Sequence, residues 1–264
     1  MKVVILVGGF GTRIKEETIF KPKPMIEIGG KPLIWHLMKY YSYFGFNEFI
    51  LCLGYKKEFI INYFENNYEY KLTDKFISES KTYFSYNNIK DNWEIILFDT
   101  GINTMTGGRI KQIRSLLNET FLLTYGDTLS NVNIYSLIKL HKENNVLSTL
   151  TTVNPVSKYG IINFDKNDVL VSNFVEKPLE VNKWINAGFY VIEPEIINFI
   201  DNNETSFEKQ PIQKIIELQK LAAYKHSGFW SSIETLNDKI KMEELWDSNS
   251  APWQIWDNNL RLAL

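Results

Sequence analysis

Apolar residues run along the first half of the chain in short unbroken bursts, and these alternate with stretches in which they recur three and four positions apart. The burst "KVVILV" at residues 2–7 is β-branched and stops at glycine, the signature of a strand buried on both faces of a parallel sheet. In "PLIWHLMKYYSYFG", Leu33, Ile34, Leu37, Met38 and Tyr41 fall on one helical face, and Gly45 is placed to end the helix. "EFILCLGY" predicts a second buried strand and "KEFIINYFENN" a second helix. Residues 66–94 are polar and aromatic without clear periodicity and read as an insertion with a strand or two. The rhythm resumes as "WEIILFDTG" (strand), "GGRIKQIRSLL" (helix), "TFLLTYGD" (strand) and "NIYSLIKLHKENN" (helix). Beyond these lie short alternating runs, "LSTLTTV", "GIINFD", "LVSNFVEKP" and "INAGFYVIE", and then the helical "PIQKIIELQ".

The β-α-β-α order predicts an α/β fold: a Rossmann-like, mixed, mostly parallel sheet flanked by helices, with a more β-rich C-terminal half. A chain of 264 residues is ordinary for one such domain, so residues 1–264 are expected to form a single unit. Its halves are expected at about 1–140 and 141–264. A hydrophobic content of 44% with 8 Pro and 14 Gly fits neither disorder nor a fibrous repeat. The net charge of -2 gives no general attraction to nucleic acid or anionic lipid. "VVILV" is too short to span a bilayer or to form a signal-peptide core, so a cytoplasmic protein is expected. Cys52 in "FILCLGY" reads as an inert strand residue.

Ligands of such sheets sit beyond the carboxyl ends of the strands, where "GGFGTR", "DTG" and "TYGD" fall. "GGFGTR" is not a dinucleotide fingerprint, since Ile14 stands where the third glycine belongs and Pro22 and Pro24 forbid a long helix. It is not a P-loop either, because it closes with Gly-Thr-Arg. What remains is a tight glycine turn able to approach phosphate oxygens, with Arg13 as a planar cation beside it. Lys23, stiffened by prolines in "KPKPM", is suited to neutralise a phosphoryl group, whereas Lys21 reads as a surface residue. Asp127, after Gly126 at a strand end, could hold Mg²⁺ or simply cap a helix. His36, His141 and His226 have no metal-ligand spacing and are given structural roles.

Together with "KPKPMIEIGGKPLIWHLM", "DTGINTMTGGRIKQI", "VEKP", "INAGFYVI" and "GFWSSIETLNDK", the opening loop resembles the sugar-1-phosphate nucleotidyltransferases, and in particular their glucose-1-phosphate cytidylyltransferase branch. The likeness runs from residue 1 to "APWQIW" at 251–256. It implies the nucleotide-diphospho-sugar transferase fold, with CTP and a sugar 1-phosphate as substrates, Mg²⁺ as cofactor and CDP-glucose and pyrophosphate as products. By that resemblance Gly8, Gly9, Gly11 and Thr12 hold the nucleotide, Arg13 grips the leaving pyrophosphate and Lys23 sits near the α-phosphate. Thr106, Gly107 and Gly108 face the cytosine, and Arg109 covers the base or touches phosphate. Lys177 neutralises the sugar phosphate, while Gly160, Glu176 and Asn186 bind sugar hydroxyls. Asp127 and Glu234 are the metal ligands.

The chain departs from the family pattern at Glu234, where Asp is usual, at Thr128 and at Ala187. The departures leave open a different phosphorylated acceptor or a nucleotide-binding protein without turnover; a dinucleotide-dependent oxidoreductase is the alternative from another enzyme class. Trp246, Trp253 and Trp256 near the end of the chain either fill their own domain or mark a subunit contact, and the resemblance implies a homo-oligomer.

Overall fold

The computed structural model describes residues 1–11, 14, 19–67, 69–77, 82–88, 90–155, 161–166, 169–176 and 183–257. Among these, the frame is one nine-stranded sheet. In spatial order its strands are Leu221–His226, Ser148–Val153, Ile185–Ile192, Phe121–Tyr125, Val3–Leu6, Glu48–Leu53, Trp93–Asp99, Thr82–Asn88 and Tyr70–Ile77. All point the same way except Thr82–Asn88 and Ile185–Ile192, each antiparallel to both of its neighbours. The mixed, mostly parallel sheet of the sequence reading is therefore the one observed.

Val3–Leu6 lies at the centre, parallel to Glu48–Leu53 on one side and to Phe121–Tyr125 on the other. Its alternate residues serve two separate cores, which explains why the burst is apolar without interruption. Val3 and Ile5 pack with the helices Leu33–Tyr43, Lys57–Glu65, Ile134–Asn144 and Leu236–Asp247. Val4 and Leu6 face the helices Thr106–Gln112 and Gln210–Glu217 together with the 3-10 turn Pro194–Phe199.

Two segments without a clear sequence signal take regular form. Residues in the aperiodic stretch 66–94 fold into the antiparallel pair Tyr70–Ile77 and Thr82–Asn88, which extends the sheet to one edge. Leu221–His226 is the opposite edge strand, and Leu236–Asp247 is a helix opened by a capping box between Thr235 and Asp238. The second half is β-rich as expected, with the short hairpin Ile161–Phe164 and Val171–Val175 standing apart from the main sheet.

Candidate active site

The parallel strands end on a cleft of about 690 Å³. It collects the turn at Gly8–Gly11, Lys23, the loop after Asp99, Asp127, the amino end of Ile185–Ile192, Glu208 and Glu234. The glycine turn, the loop after Asp99 and Asp127 reach it because a parallel strand stops there. Gly8 lies two residues past Leu6, and Asp127 two past Tyr125 on the adjacent strand. Gly11 has φ of 63°, in the left-handed region that favours glycine. No side chain is needed for such a turn to present backbone N–H groups to an anion.

Lys23 sits on the buried 3-10 turn Lys23–Met25, and its Nζ donates to Asp127 Oδ2 at 2.6 Å. The ammonium is nearly buried, whereas the carboxylate is partly open to the cleft. Asp127 is not a helix cap: it leads into the strand Thr128–Ser130, which pairs antiparallel with Trp230–Ser232. That ladder continues through Ile233 N–H to Asp127 O at 3.1 Å and places Glu234 on the same cleft as Asp127. Two carboxylates and one Lys thus come together from segments more than a hundred residues apart in the chain. Magnesium is commonly held by one or two carboxylates together with substrate phosphates and water. Among the described residues no group of three or more His, Cys, Asp or Glu is placed to hold a metal, so the donor set suits a cation shared with a phosphorylated ligand.

Arg109, expected over the base or at a phosphate, lines the cleft beside the glycine turn. The residue is only 4% exposed, and Nη1 donates to Leu53 O at 2.7 Å and Gly101 O at 2.9 Å. Thr100 Oγ1 is a further acceptor of Nη1, and Nη2 donates to Gly8 O at 2.9 Å. The side chain packs against Gly8 of the glycine turn, and burial lowers its pKa. Gly107 and Gly108 are likewise in the wall. A Cβ on either would come within 2.7 Å of Thr205 O or 2.5 Å of the Asn203 Cα, so these glycines let the helix Thr106–Gln112 pack closely on residues 203–207. Thr106 does reach the cleft, where its Oγ1 donates to Glu208 Oε2 at 2.6 Å.

The remaining wall contains a polar chain that sequence reasoning missed. Glu208 accepts from Thr106, from Ser206 at 2.7 Å and, through Oε1, from the Tyr125 hydroxyl. Tyr125 and Tyr190 hydroxyls lie 3.2 Å apart, and the Asn186 amide donates to Tyr190. Burial first, then the neighbouring phenol and carboxylate, push the Tyr125 pKa far up, so the phenol stays protonated. Tyr125 carries a usable sequence signal, since it precedes Gly126-Asp127 at a strand end. Glu208, in "SFEKQ", carries none.

Asn186 lines the cleft, and Ala187 O accepts the Trp230 indole N–H at 2.8 Å. Thr128 is a buried strand residue whose hydroxyl donates to Asp127 Oδ1 at 3.2 Å. Glu176 is exposed and does not border the cleft. Thr12, Arg13, Gly160 and Lys177, and with them the expected grip on pyrophosphate and sugar phosphate, lie outside the described residues.

The histidines are structural. His141 bonds Thr149 and Glu193 at 2.9 Å each, and His226 Nε2 bonds Phe229 O at 3.1 Å. His36 is fully buried, bonded to Ile28 O at 2.9 Å and met by Trp253 Nε1 at 3.4 Å, with the rings of Trp246 and Trp256 edge-on or tilted against it. The C-terminal tryptophans therefore pack on their own domain. Cys52 is buried, and burial pushes its thiol up to about 12. No helix among the described residues is long and apolar enough to cross a membrane.

A glycine turn, a Lys–Asp pair and a second carboxylate at the carboxyl ends of an α/β sheet suit group transfer between phosphates without a covalent enzyme intermediate. The chain matches the Nucleotidyl transferase family over residues 2–248 and belongs to it. It is a nucleotidyltransferase, which sets aside the oxidoreductase reading. It is 41% identical over 260 residues to the glucose-1-phosphate cytidylyltransferase of Salmonella typhi, covering 97% of this chain and all of that one. A probable glucose-1-phosphate cytidylyltransferase of Bacillus subtilis is 39% identical over 258 residues, with coverage of 97% and 100%. Among solved structures, HddC from Yersinia pseudotuberculosis superposes with a TM-score of 0.66 at 26% identity, over 93% of this chain and 99% of that one. UDP-glucose pyrophosphorylase shares the fold, with a TM-score of 0.66 at 19% identity over 94% and 98% of the two chains.

Proposed function

We propose that the protein transfers the cytidylyl group of CTP to α-D-glucose 1-phosphate, giving CDP-glucose and pyrophosphate. The observation that carries this is the convergence of Lys23, Asp127 and Glu234 beside the glycine turn, in a chain that matches named cytidylyltransferases along their whole length. A phosphate oxygen of the sugar phosphate attacks the α-phosphorus of CTP in line. As that P–O bond forms, the bond to the bridging α,β-oxygen breaks, and pyrophosphate leaves with the electron pair.

Gly8, Gly9 and Gly11 receive the nucleotide's phosphates on backbone N–H groups. Lys23, paired with Asp127 at 2.6 Å, would offset charge on the α-phosphate beside the two carboxylates that would hold a metal. Bound through Asp127 and Glu234, Mg²⁺ would offset charge on the triphosphate and help to orient it. Asn186, supported by Tyr190, contacts sugar hydroxyls; Gly160 and Lys177 join it on the acceptor side, and Arg13 takes the pyrophosphate.

We further read the enzyme as a cytoplasmic homo-oligomer. Ile161, Ile162, Phe164, Val171 and Phe174 on the detached hairpin are all 38–58% exposed and offer apolar surface to a second copy. Sedimentation of the purified protein tests this, and a monomer at micromolar concentration would refute it.

The test of the activity is pyrophosphate release with Mg²⁺, each nucleoside triphosphate and a panel of sugar 1-phosphates. Release with CTP and glucose 1-phosphate is expected. Release only with another sugar 1-phosphate would correct the acceptor, and CTP binding without any release would mean that turnover has been lost.

A further inference from the structure

The segment that presents Glu234 is tied down on both sides. Upstream, Ser232 pairs with Thr128 and Ile233 N–H donates to Asp127 O at 3.1 Å, so the chain is bonded to the backbone of the other carboxylate of the cleft. Downstream, Asp238 Oδ2 accepts the Glu234 N–H at 3.1 Å, together with the Thr235 N–H and the Thr235 hydroxyl at 2.9 Å each. A capping box asks only for the bonds between Thr235 and Asp238. The bond to Glu234 N–H reaches one residue further back, to the residue that lines the cleft.

The helix that carries Asp238 is itself anchored beside another part of the site. Towards the far end of Leu236–Asp247, Glu243 Oε2 accepts Gly29 N–H at 2.8 Å, and the Trp246 indole fills the space that a Cβ on Gly29 would need, 1.9 Å from Nε1. Gly29 turns the hairpin Glu27–Ile28 and Lys31–Pro32, which follows the Lys23–Met25 turn. One helix therefore connects the segment of Glu234 to that of Lys23. A Glu side chain has one more rotatable bond than Asp, and Mg²⁺ tolerates little error in octahedral geometry. How firmly the Glu234 backbone is held thus decides whether its carboxylate stays in place.

We propose that Asp238 is a positioning residue for the metal site: through the Glu234 N–H it fixes the backbone from which the second carboxylate is presented to a cation shared with Asp127. This deepens the nucleotidyl-transfer reading and rests on Asp127 and Glu234 as the metal ligands.

The experiment titrates the wild type, D238N, D238A, E234Q and N133A with Mn²⁺ in the presence of α,β-methylene CTP. Loss of the free-ion electron paramagnetic resonance signal, beyond that with the nucleotide alone, gives the dissociation constant of the ternary complex. The Mg²⁺ dependence of pyrophosphate release is measured alongside. D238N keeps an oxygen for the N–H groups and loses the charge, whereas D238A loses both. N133A removes the cap of Ile134–Asn144, where Asn133 Oδ1 accepts Ser136 N–H at 2.9 Å, and serves as a cap away from the cleft.

The expected weakening of Mn²⁺ binding is about fivefold in D238N and about twentyfold in D238A, with the Mg²⁺ concentration for half-maximal rate rising in step and kcat at saturating Mg²⁺ within about threefold. N133A should melt a few degrees lower and bind Mn²⁺ as the wild type does. Should D238A fail to melt cooperatively, D238N decides. Mn²⁺ binding within twofold of wild type in folded D238N and D238A, with only the melting temperature lowered as in N133A, would overturn the proposal and leave Asp238 a helix cap. E234Q separates the two levels: if it too binds Mn²⁺ like the wild type, Glu234 is not a metal ligand and the underlying reading falls with the proposal. If E234Q weakens binding and the Asp238 variants do not, the proposal falls alone.

Discussion

Where the nucleotide is proposed to bind, Gly8 to Gly11 leave a strand of four residues that is buried on both faces; in the half proposed for the acceptor, every residue of the hairpin Ile161–Phe164 and Val171–Val175 is exposed. The first region owes its shape to backbone at the ends of sheet strands, with Arg109 bonded to Gly8 O and the Lys23–Asp127 pair on the same cleft. The second relies on side chains: Asn186, Tyr190, Tyr125 and Glu208 hold one another in a chain of hydrogen bonds. A site made of backbone and buried charge admits little variation, because moving it means moving the sheet. A wall of mutually bonded hydroxyls and amides can change partners by substitution, and the departure at Ala187 lies at its edge.

The sharpest way to break this contrast is Lys23→Ala. It should lower kcat by about a thousandfold while leaving the KM for CTP within severalfold, in steady-state assays of pyrophosphate release. If KM rises and kcat holds, Lys23 binds ground-state phosphate and the two walls do not differ in kind.

Next comes Tyr125→Phe, which removes the hydroxyl linking Glu208 to Tyr190. The KM for glucose 1-phosphate should rise about tenfold with that for CTP unchanged, the worth of one or two buried hydrogen bonds. An effect on CTP instead would move the chain of hydroxyls to the nucleotide side.

Glu234→Asp sharpens the boundary itself. Shortening the carboxylate should shift the Mg²⁺ concentration for half-maximal rate by about three- to tenfold, since Mg²⁺ tolerates little error in octahedral geometry. An unaltered Mg²⁺ curve would remove Glu234 from the metal.

The smallest effect on activity concerns a part of the molecule remote from either wall. Burial, outweighing its bonds to the Ile28 and Lys31 backbone, lowers the His36 pKa from 6.5 to about 4. The unfolded chain therefore binds more protons than the folded one between these values. His36 stabilises fully above about pH 6.5, and its contribution is lost progressively toward pH 4, on the order of 3 kcal/mol in total. Urea unfolding from pH 7 to 4 should show a shallower loss of stability for His36→Gln than for wild type, with kcat at pH 7.5 nearly unchanged in the folded variant. Parallel curves would mean that His36 titrates alike in the folded and unfolded chains.

The periodicity of the chain made much of this legible. "KVVILV" and "EFILCLGY" had to be central strands because residues apolar on both faces need a core on each side, and both cores are present. Glycine after a strand and a Lys stiffened by proline pointed to the turn and to Lys23 from local chemistry alone. Residues 66–94 were hard to read because Thr82–Asn88, although it buries Phe84, Tyr86 and Asn88 in alternation, sets an Asn on its buried face and Tyr83 on the other.

What the sequence by itself determined is the α/β class, the position of the glycine turn, and Lys23 and Asp127 as candidates, since each follows from a few consecutive residues. Only the tertiary structure decided which of the family's matching positions face the cleft. It placed Gly107 and Gly108 in the wall behind it, held Arg109 at its edge by carbonyls, and brought Glu208 onto its surface from a segment with no motif. The reason is physical: a motif records which residue types occur together, but whether a cation faces ligand or carbonyls depends on what the fold places against it. For Arg109, that was settled by three strand ends meeting around one guanidinium.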